Sequence, residues 1–366
     1  MLSTIKRNPG IDFLRILAMF YVVVLHTLGQ GGILDSVVVG SHQYMVSWFL
    51  EIWSYCAVDV FALISGYVGY HEEEKPLKIS NYLLLWSQVV FYGVIITLGF
   101  NMLHPELVTK FDLIEMLFPV TNGLYWYLTA YMGLFLFAPI LNTGLSKYSK
   151  SFTIKFLVIL FFVFSIYDTF VGKFTLNGGY CFAWLIILYL IGAILKKCEI
   201  GKKVSTLGAF GGIVFLIFVT WIWKIYGIEL NFMSIHINQD SFISYTSPTI
   251  VGVAILYIIC FSKMTFKYLK VVISFAAPGA FAVYILNTQR FIWRYGMNQR
   301  FVSWANNHSY MIPVKVIAFS GIFLIISILI DRLRSKIFHV LHIDLLMKTI
   351  EEKMKKIVNK MSQKII

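Results

Sequence analysis

Charge is scarce in this chain. Only 13% of its 366 residues are Asp, Glu, Lys or Arg, where a soluble domain carries roughly 25%. Beside 58% hydrophobic residues and a mean hydropathy of +0.76, that shortage excludes an ordinary cytosolic enzyme, a disordered chain and a collagen-like rod. Cysteine is nearly absent. Cys56, Cys181, Cys198 and Cys260 lie far apart, without ligand or disulfide spacing, and read as packing residues. There is no metal-ligand cluster, phosphate loop or dinucleotide motif, so neither a metal nor a resident cofactor is expected. The first apolar run ends in Leu28-Gly29-Gln30-Gly31-Gly32, which lacks the small-residue cleavage site of a secretory signal. No low-complexity tract or clear internal repeat is visible, and the inverted repeat that marks many transporters is not evident.

What the chain does have is long apolar runs. Ten are long enough to cross a hydrocarbon core as helices: 10–29, 44–70, 79–102, 122–142, 152–171, 180–196, 204–226, 244–262, 270–293 and 311–332. Lipid-exposed strands would leave backbone groups unpaired, so an all-α polytopic transmembrane bundle is expected. Of the 31 basic residues, 23 fall on one side of this alternation and six on the other. The rule that cytoplasmic loops are basic then puts both termini in the cytoplasm. The same distribution explains the net charge of +13 without nucleic acid. Residues 1–335 read as one membrane domain. Residues 336–366 read as a basic amphipathic tail suited to anionic lipid at the inner face. A solvated loop is expected at Glu72-Glu73-Glu74, a solvated Asp168 at a span end, and a surface position for His236.

An ionisable residue inside a membrane helix is costly and marks a functional candidate. In the first span, Asp12, Arg15 and His26 fall within about 60° of one another at 100° per residue. Asp12 and Arg15 are neighbours that can pair, and His26 lies about 16 Å further along the axis. Two readings stay open: a structural ion pair with an interfacial histidine, or a general base at His26, which suits acyl transfer to a hydroxyl. Asp59 is a lone carboxylate in the second span and needs a donor, which His26, Arg15 or another interior group can supply. Ser65-Gly66 permits close approach of a helix or ligand, and no nucleophile elbow surrounds Ser65. Trp126 suits an interfacial belt. Arg290 and Arg294 suit either an anionic sugar or lipid phosphate, or snorkelling to the interface. A glycolipid transporter or flippase is the main rival to an enzyme. It predicts helices broken near mid-membrane, whereas Pro139, Pro248 and Pro278 fall near the expected span ends.

Several motifs occur in order over residues 8–335. They are Arg7, Asp12, Leu14-Arg15 and His26; Val58-Asp59-Val60-Phe61 with Ser65-Gly66-Tyr67; Leu124-Tyr125-Trp126-Tyr127-Leu128 with Pro139-Ile140-Leu141; and Gly178-Gly179-Tyr180, Tyr189-Leu190-Ile191-Gly192-Ala193 and Tyr245-Thr246-Ser247-Pro248-Thr249. Together they resemble the acyltransferase-3 family of integral membrane acyltransferases, in a branch found in polysaccharide gene clusters. The resemblance implies O-acetylation of a cell-surface glycan or its lipid-linked precursor at a bacterial plasma membrane, with acetyl-CoA as co-substrate. It implies His26 as catalytic base and Arg15 as a residue of the donor site or catalytic centre. Asp12 and Asp59 complete the candidate catalytic set, with Asp59 expected to orient or charge-stabilise the imidazole. Ser65, Gly66, Tyr67, Trp126, Tyr284, Asn287 and Arg290 are the candidate substrate contacts, with Tyr67, Trp126 or a backbone amide expected at the oxyanion. In one departure, Ala282-Val283-Tyr284-Ile285-Leu286-Asn287 ends in Asn where the family often has His, and Asn287 cannot titrate. Many relatives carry a further esterase-like domain, and none is expected within these residues.

Overall fold

The computed structural model describes residues 7–73, 75–120, 125–232 and 235–365. Lys6, Glu74 and Leu124, and the side chain of His236, lie outside the described residues. The first span is α1, Pro9–Leu28. It begins where Asn8 Oδ1 accepts from the backbone N–H of Gly10 (2.9 Å) and Ile11 (3.2 Å), with Pro9 supplying a preset first turn. Asn8 Nδ2 also donates to the Ser262 carbonyl (2.7 Å), which ties two loops of one end together.

After the short α2 (Ile33–Ser36), the second span is α3 (His42–Tyr55) continued by α4 (Ala57–Gly69). Next come α5 (Ile79–Leu103), the short α6 (Lys110–Glu115) and α7 (Trp126–Ser146). The span α8 (Lys150–Phe161) runs through a π-helical turn into α9 (Asp168–Val171). It is followed by α10 (Phe182–Lys197), α11 (Thr206–Tyr226) and a small antiparallel hairpin, β1 (Leu230–Phe232) with β2 (Ile235–Ile237). The remaining helices are α12 (Pro248–Phe261), α13 (Lys270–Ala276), α14 (Ala280–Asn287), α15 (Met311–Val340) and α16 (Ile343–Ile365). The protein is an all-α polytopic membrane bundle.

Each of the ten apolar runs contains helix, but among the described residues only eight helical segments are long and apolar enough to cross a membrane. The helices within 180–196 and 244–262 have 16 and 14 residues, so at 1.5 Å per residue they fall short of a ~30 Å core. They are also well enclosed by protein: Trp184, Leu185, Leu188, Val251 and Ala254 are essentially inaccessible. Their apolarity reports burial within protein, which a hydropathy count cannot separate from burial in lipid. Pro278 also departs from expectation. It sits inside the 270–287 helix, in a 3₁₀ turn (Ala277–Gly279), and the backbone stays helical through it.

Hydrogen bonds sort the loops into two ends. Asn142 Nδ2 reaches the Gly69 carbonyl (2.9 Å), Lys197 Nζ reaches the carbonyls of Leu145 (2.5 Å) and Tyr148 (2.6 Å), and Lys263 Nζ reaches that of Gly201 (2.6 Å). With Asn8–Ser262, these define a basic end. At the opposite end, Gln30 carbonyl accepts from Gln299 N–H (2.9 Å) and Gly31 carbonyl from Phe301 N–H (2.9 Å).

The tail helix α16 docks at the basic end. Glu351 Oε2 accepts from Ser80 N–H at the start of α5 (3.2 Å), and Lys355 Nζ pairs with Glu351 Oε1 (2.7 Å). Lys355, then Ser80, draws the Glu351 carboxyl down to about 2. A depressed carboxyl holds its contact fully above its ordinary value of 4.5 and loses it only as pH falls through about 2, so docking is expected to be constant over physiological pH. Glu351→Gln is expected to release α16 at every such pH, read as faster limited proteolysis between residues 341 and 351.

Candidate functional site

His26 lies on the last turn of α1, where its Nδ1 meets Oδ1 of the wholly buried Asn287. A carboxamide oxygen only accepts, so Nδ1 carries the proton and the Nε2 lone pair is left free. Trp293 meets the imidazole edge-on, with centroids 4.8 Å apart and planes at 89°. The ring lines a chamber of about 50 Å³ walled by Phe61, Trp126, Tyr127, Tyr180, Tyr245 and Tyr284. Three polar groups here have no hydrogen-bond partner among the described residues: Tyr127 Oη, Tyr284 Oη and Asn287 Nδ2. Unpaired buried donors are costly, about 1–3 kcal/mol each, and are commonest where a ligand completes them.

Asn287, not Asp59, orients the imidazole. Asp59 is fully buried, and its Oδ1 accepts from Trp184 Nε1 (3.1 Å), while Oδ2 has no partner among the described residues. Asp59, expected to orient or charge-stabilise the imidazole, makes its hydrogen bond to Trp184 instead. The neutral carboxamide fixes the tautomer without adding charge, and the departure at position 287 is the residue that does it. Asn287→Leu is expected to leave the protein folded and to cut turnover at least about 10²-fold, through loss of the imidazole's partner and of an unpaired donor beside it, measured as kcat at saturating substrate.

Toward the basic end of α1, Asp12 Oδ1 pairs with Arg15 Nη1 (3.1 Å), and Arg7 Nε approaches Asp12 Oδ2 (3.9 Å). Asp12 is buried and Arg15 mostly so, which places this side of the helix inward. A cavity of about 340 Å³ opens at the same end, lined by Ser65, His71, Lys75, Lys78, Tyr131 and Asn142, among others. Ser65 follows Phe61 by one turn of α4, and Tyr131 follows Tyr127 by one turn of α7. Two helices therefore each carry one residue in the basic-end cavity and one in the His26 chamber, about 6 Å apart along the axis.

At the opposite end a polar vestibule of about 550 Å³ is lined by Gln30, Thr288, Arg290, Trp293, Arg294 and Asn298. Trp293 is shared between this vestibule and the histidine contact. Arg290 is engaged by the protein itself, pairing with Asp112 (2.8 Å) and with Glu115, and so clasps α6 to the end of α14.

The other sequence candidates separate. Trp126 and Tyr284 line the His26 chamber, and Ser65 the basic-end cavity. Gly66 is a packing residue: a Cβ there would lie 1.9 Å from the Tyr189 carbonyl oxygen of α10. Tyr67 lies beneath Lys196, 5.1 Å from ammonium to ring centroid. Asp168 is buried rather than solvated, with Oδ1 accepting from Phe174 N–H (3.3 Å). Sequence reading missed Trp293, Tyr127 and Trp184 as partners, because indoles and phenols are too common in apolar runs to stand out. It also passed over Glu51, a buried carboxylate in α3 whose Oε2 lacks a partner among the described residues. Its charge within a span was the available signal.

No curated protein and no solved structure matches this chain. An acyltransferase-domain family matches residues 8–332, nearly the whole membrane bundle and every residue of the His26 chamber. A match of that extent settles the relationship: the chain belongs to the acyltransferase-3 family of integral membrane acyltransferases.

Proposed function

We propose that this membrane acyltransferase moves an acetyl group from acetyl-CoA to a hydroxyl of a cell-surface glycan or its lipid-linked precursor, with His26 as general base. The observation that carries this reading is the sequence of spaces through the bundle. Residues of a basic-end cavity follow those of the His26 chamber by one turn on α4 and α7, and Trp293 of a polar vestibule touches the His26 ring. A reaction that joins a cytoplasmic thioester to an external hydroxyl needs that order.

In this proposal the basic end faces the cytoplasm of a bacterium. The phosphates of acetyl-CoA rest against Lys75 and Lys78, and the pantetheine arm enters past Ser65 and Tyr131. Arg15, within electrostatic reach of Tyr131, supplies positive charge along the path. His26 Nε2 takes the proton of the acceptor hydroxyl, and its oxygen attacks the thioester carbon. Tyr127 Oη and Asn287 Nδ2 donate to the oxyanion in place of the expected Tyr67 or Trp126. Collapse breaks the carbon–sulfur bond, the imidazolium returns its proton to the thiolate, and ester and free CoA leave on their own sides.

Purified protein supplied with labelled acetyl-CoA and candidate lipid-linked sugars tests the reading. Label transferred to the sugar is the expected result. Movement of the sugar across a vesicle membrane without label would instead support the transporter. Lys75→Gln with Lys78→Gln is expected to raise KM for acetyl-CoA about tenfold with kcat little changed, because these cations hold remote phosphates.

A further inference from the structure

We propose that the vestibule beside Trp293 is the acceptor subsite, that it takes a saccharide bearing an anionic group, and that Trp293 and Arg294 read it. The inference rests on the acyltransferase reading for its direction but is tested without acyl transfer.

Ile292–Met297 form a π-helical turn four residues beyond α14, with Trp293 N–H on the Gln289 carbonyl (2.7 Å) and Asn298 N–H on the Trp293 carbonyl (3.0 Å). Such turns are rare and concentrate at functional sites. Here the turn places the Trp293 indole on the vestibule wall, touching the His26 ring. A flat indole beside a reacting centre, ringed by amide and hydroxyl groups, suits the apolar face and hydroxyl edge of a sugar ring. Gln30, Thr288 and Asn298 supply those groups, and Gln30 Nε2 already positions Asn298 Oδ1 (2.9 Å).

The charges favour an acidic sugar. Glu115 lines the vestibule but is paired with Arg290. Asp112 accepts from the N–H (2.8 Å) and hydroxyl (2.7 Å) of Thr109 at the start of α6 and forms an ion pair with the same Arg290 (2.8 Å), so its charge is shared between the helix N-terminus and that arginine. Arg294 is exposed and makes no ion pair among the described residues. Its guanidinium is the cation left for a ligand, and its fork fits a carboxylate or a phosphate.

The test is calorimetric titration of the purified full-length chain in detergent, with no acyl donor present. Trigalacturonate is expected to bind at least about tenfold more tightly than maltotriose, the size of one charge-assisted hydrogen bond. Its affinity is expected to fall with added salt while that of maltotriose does not. Arg294→Gln is expected to erase the preference, and Arg294→Lys to restore part of it. Trp293→Ala is expected to weaken both sugars several-fold, with Trp293→Phe intermediate. Equal binding of the two sugars, binding of neither, or an unchanged preference in Arg294→Gln would overturn the proposal. Inorganic pyrophosphate binding through Arg294 with no saccharide binding would also overturn it and assign the anion to a lipid link. Because no transfer is measured, these results stand or fall apart from the acetylation reading.

Discussion

Replacing His26 by alanine is expected to lower acyl transfer by at least ~10²-fold while the protein inserts and accumulates normally. The size follows from what the side chain does: among the described residues no other imidazole and no carboxylate lines the same chamber. Folding should survive, because the lost contacts are one hydrogen bond to Asn287 and one edge-on contact with Trp293. His26→Gln keeps a hydrogen-bond donor for Asn287 but supplies no base, and it is expected to be as inactive as His26→Ala. Activity near that of the unsubstituted protein in either variant, at equal abundance, would remove His26 from the mechanism. Recovery in Gln alone would make the residue a spacer.

A large effect on folding is expected from Gly66. In Gly66→Ala the added carbon would sit 1.9 Å from a backbone oxygen of α10, and Gly192 faces the reciprocal constraint, 2.2 Å from the Leu63 carbonyl oxygen. Neither neighbour is a flexible side chain, so α4 and α10 must separate, and the two walls of the basic-end cavity move with them. Overpacking of this kind costs about 1–3 kcal/mol or more. Gly66→Ala is expected to lower the thermal midpoint and the monodisperse fraction in detergent. Gly99→Ala provides the contrast. Nothing lies within 4 Å of its added carbon, and removing a helical glycine there is expected to be neutral or to stabilise by up to about 1 kcal/mol. Equal behaviour of the two variants would show that the crossing is not as tight as described.

The helical class and the inward stripe of α1 were legible in the sequence because both follow from periodicity and the cost of charge in lipid. Asp12, Arg15 and His26 share a face by rotation alone. Partner choice was not legible. Asp59 finds Trp184, 125 residues away, and His26 finds Asn287, 261 residues away, and no local pattern encodes either pairing. The same limit applies to the short α10 and α12, whose composition equals that of a lipid-facing helix although protein surrounds them. Gly66 was legible as a small residue, but only the crossing geometry showed that a helix, not a ligand, takes the space.

The chamber at His26 measures about 50 Å³, while the spaces on either side hold about 340 and 550 Å³. Such a constriction works as a caliper. Under the proposed transfer, bulky matter would be held in both anterooms, and only a fragment of a few heavy atoms would fit beside the nitrogen. Discrimination by chain length would then require no dedicated recognition group, since every added methylene must push a tyrosine or tryptophan from its seat.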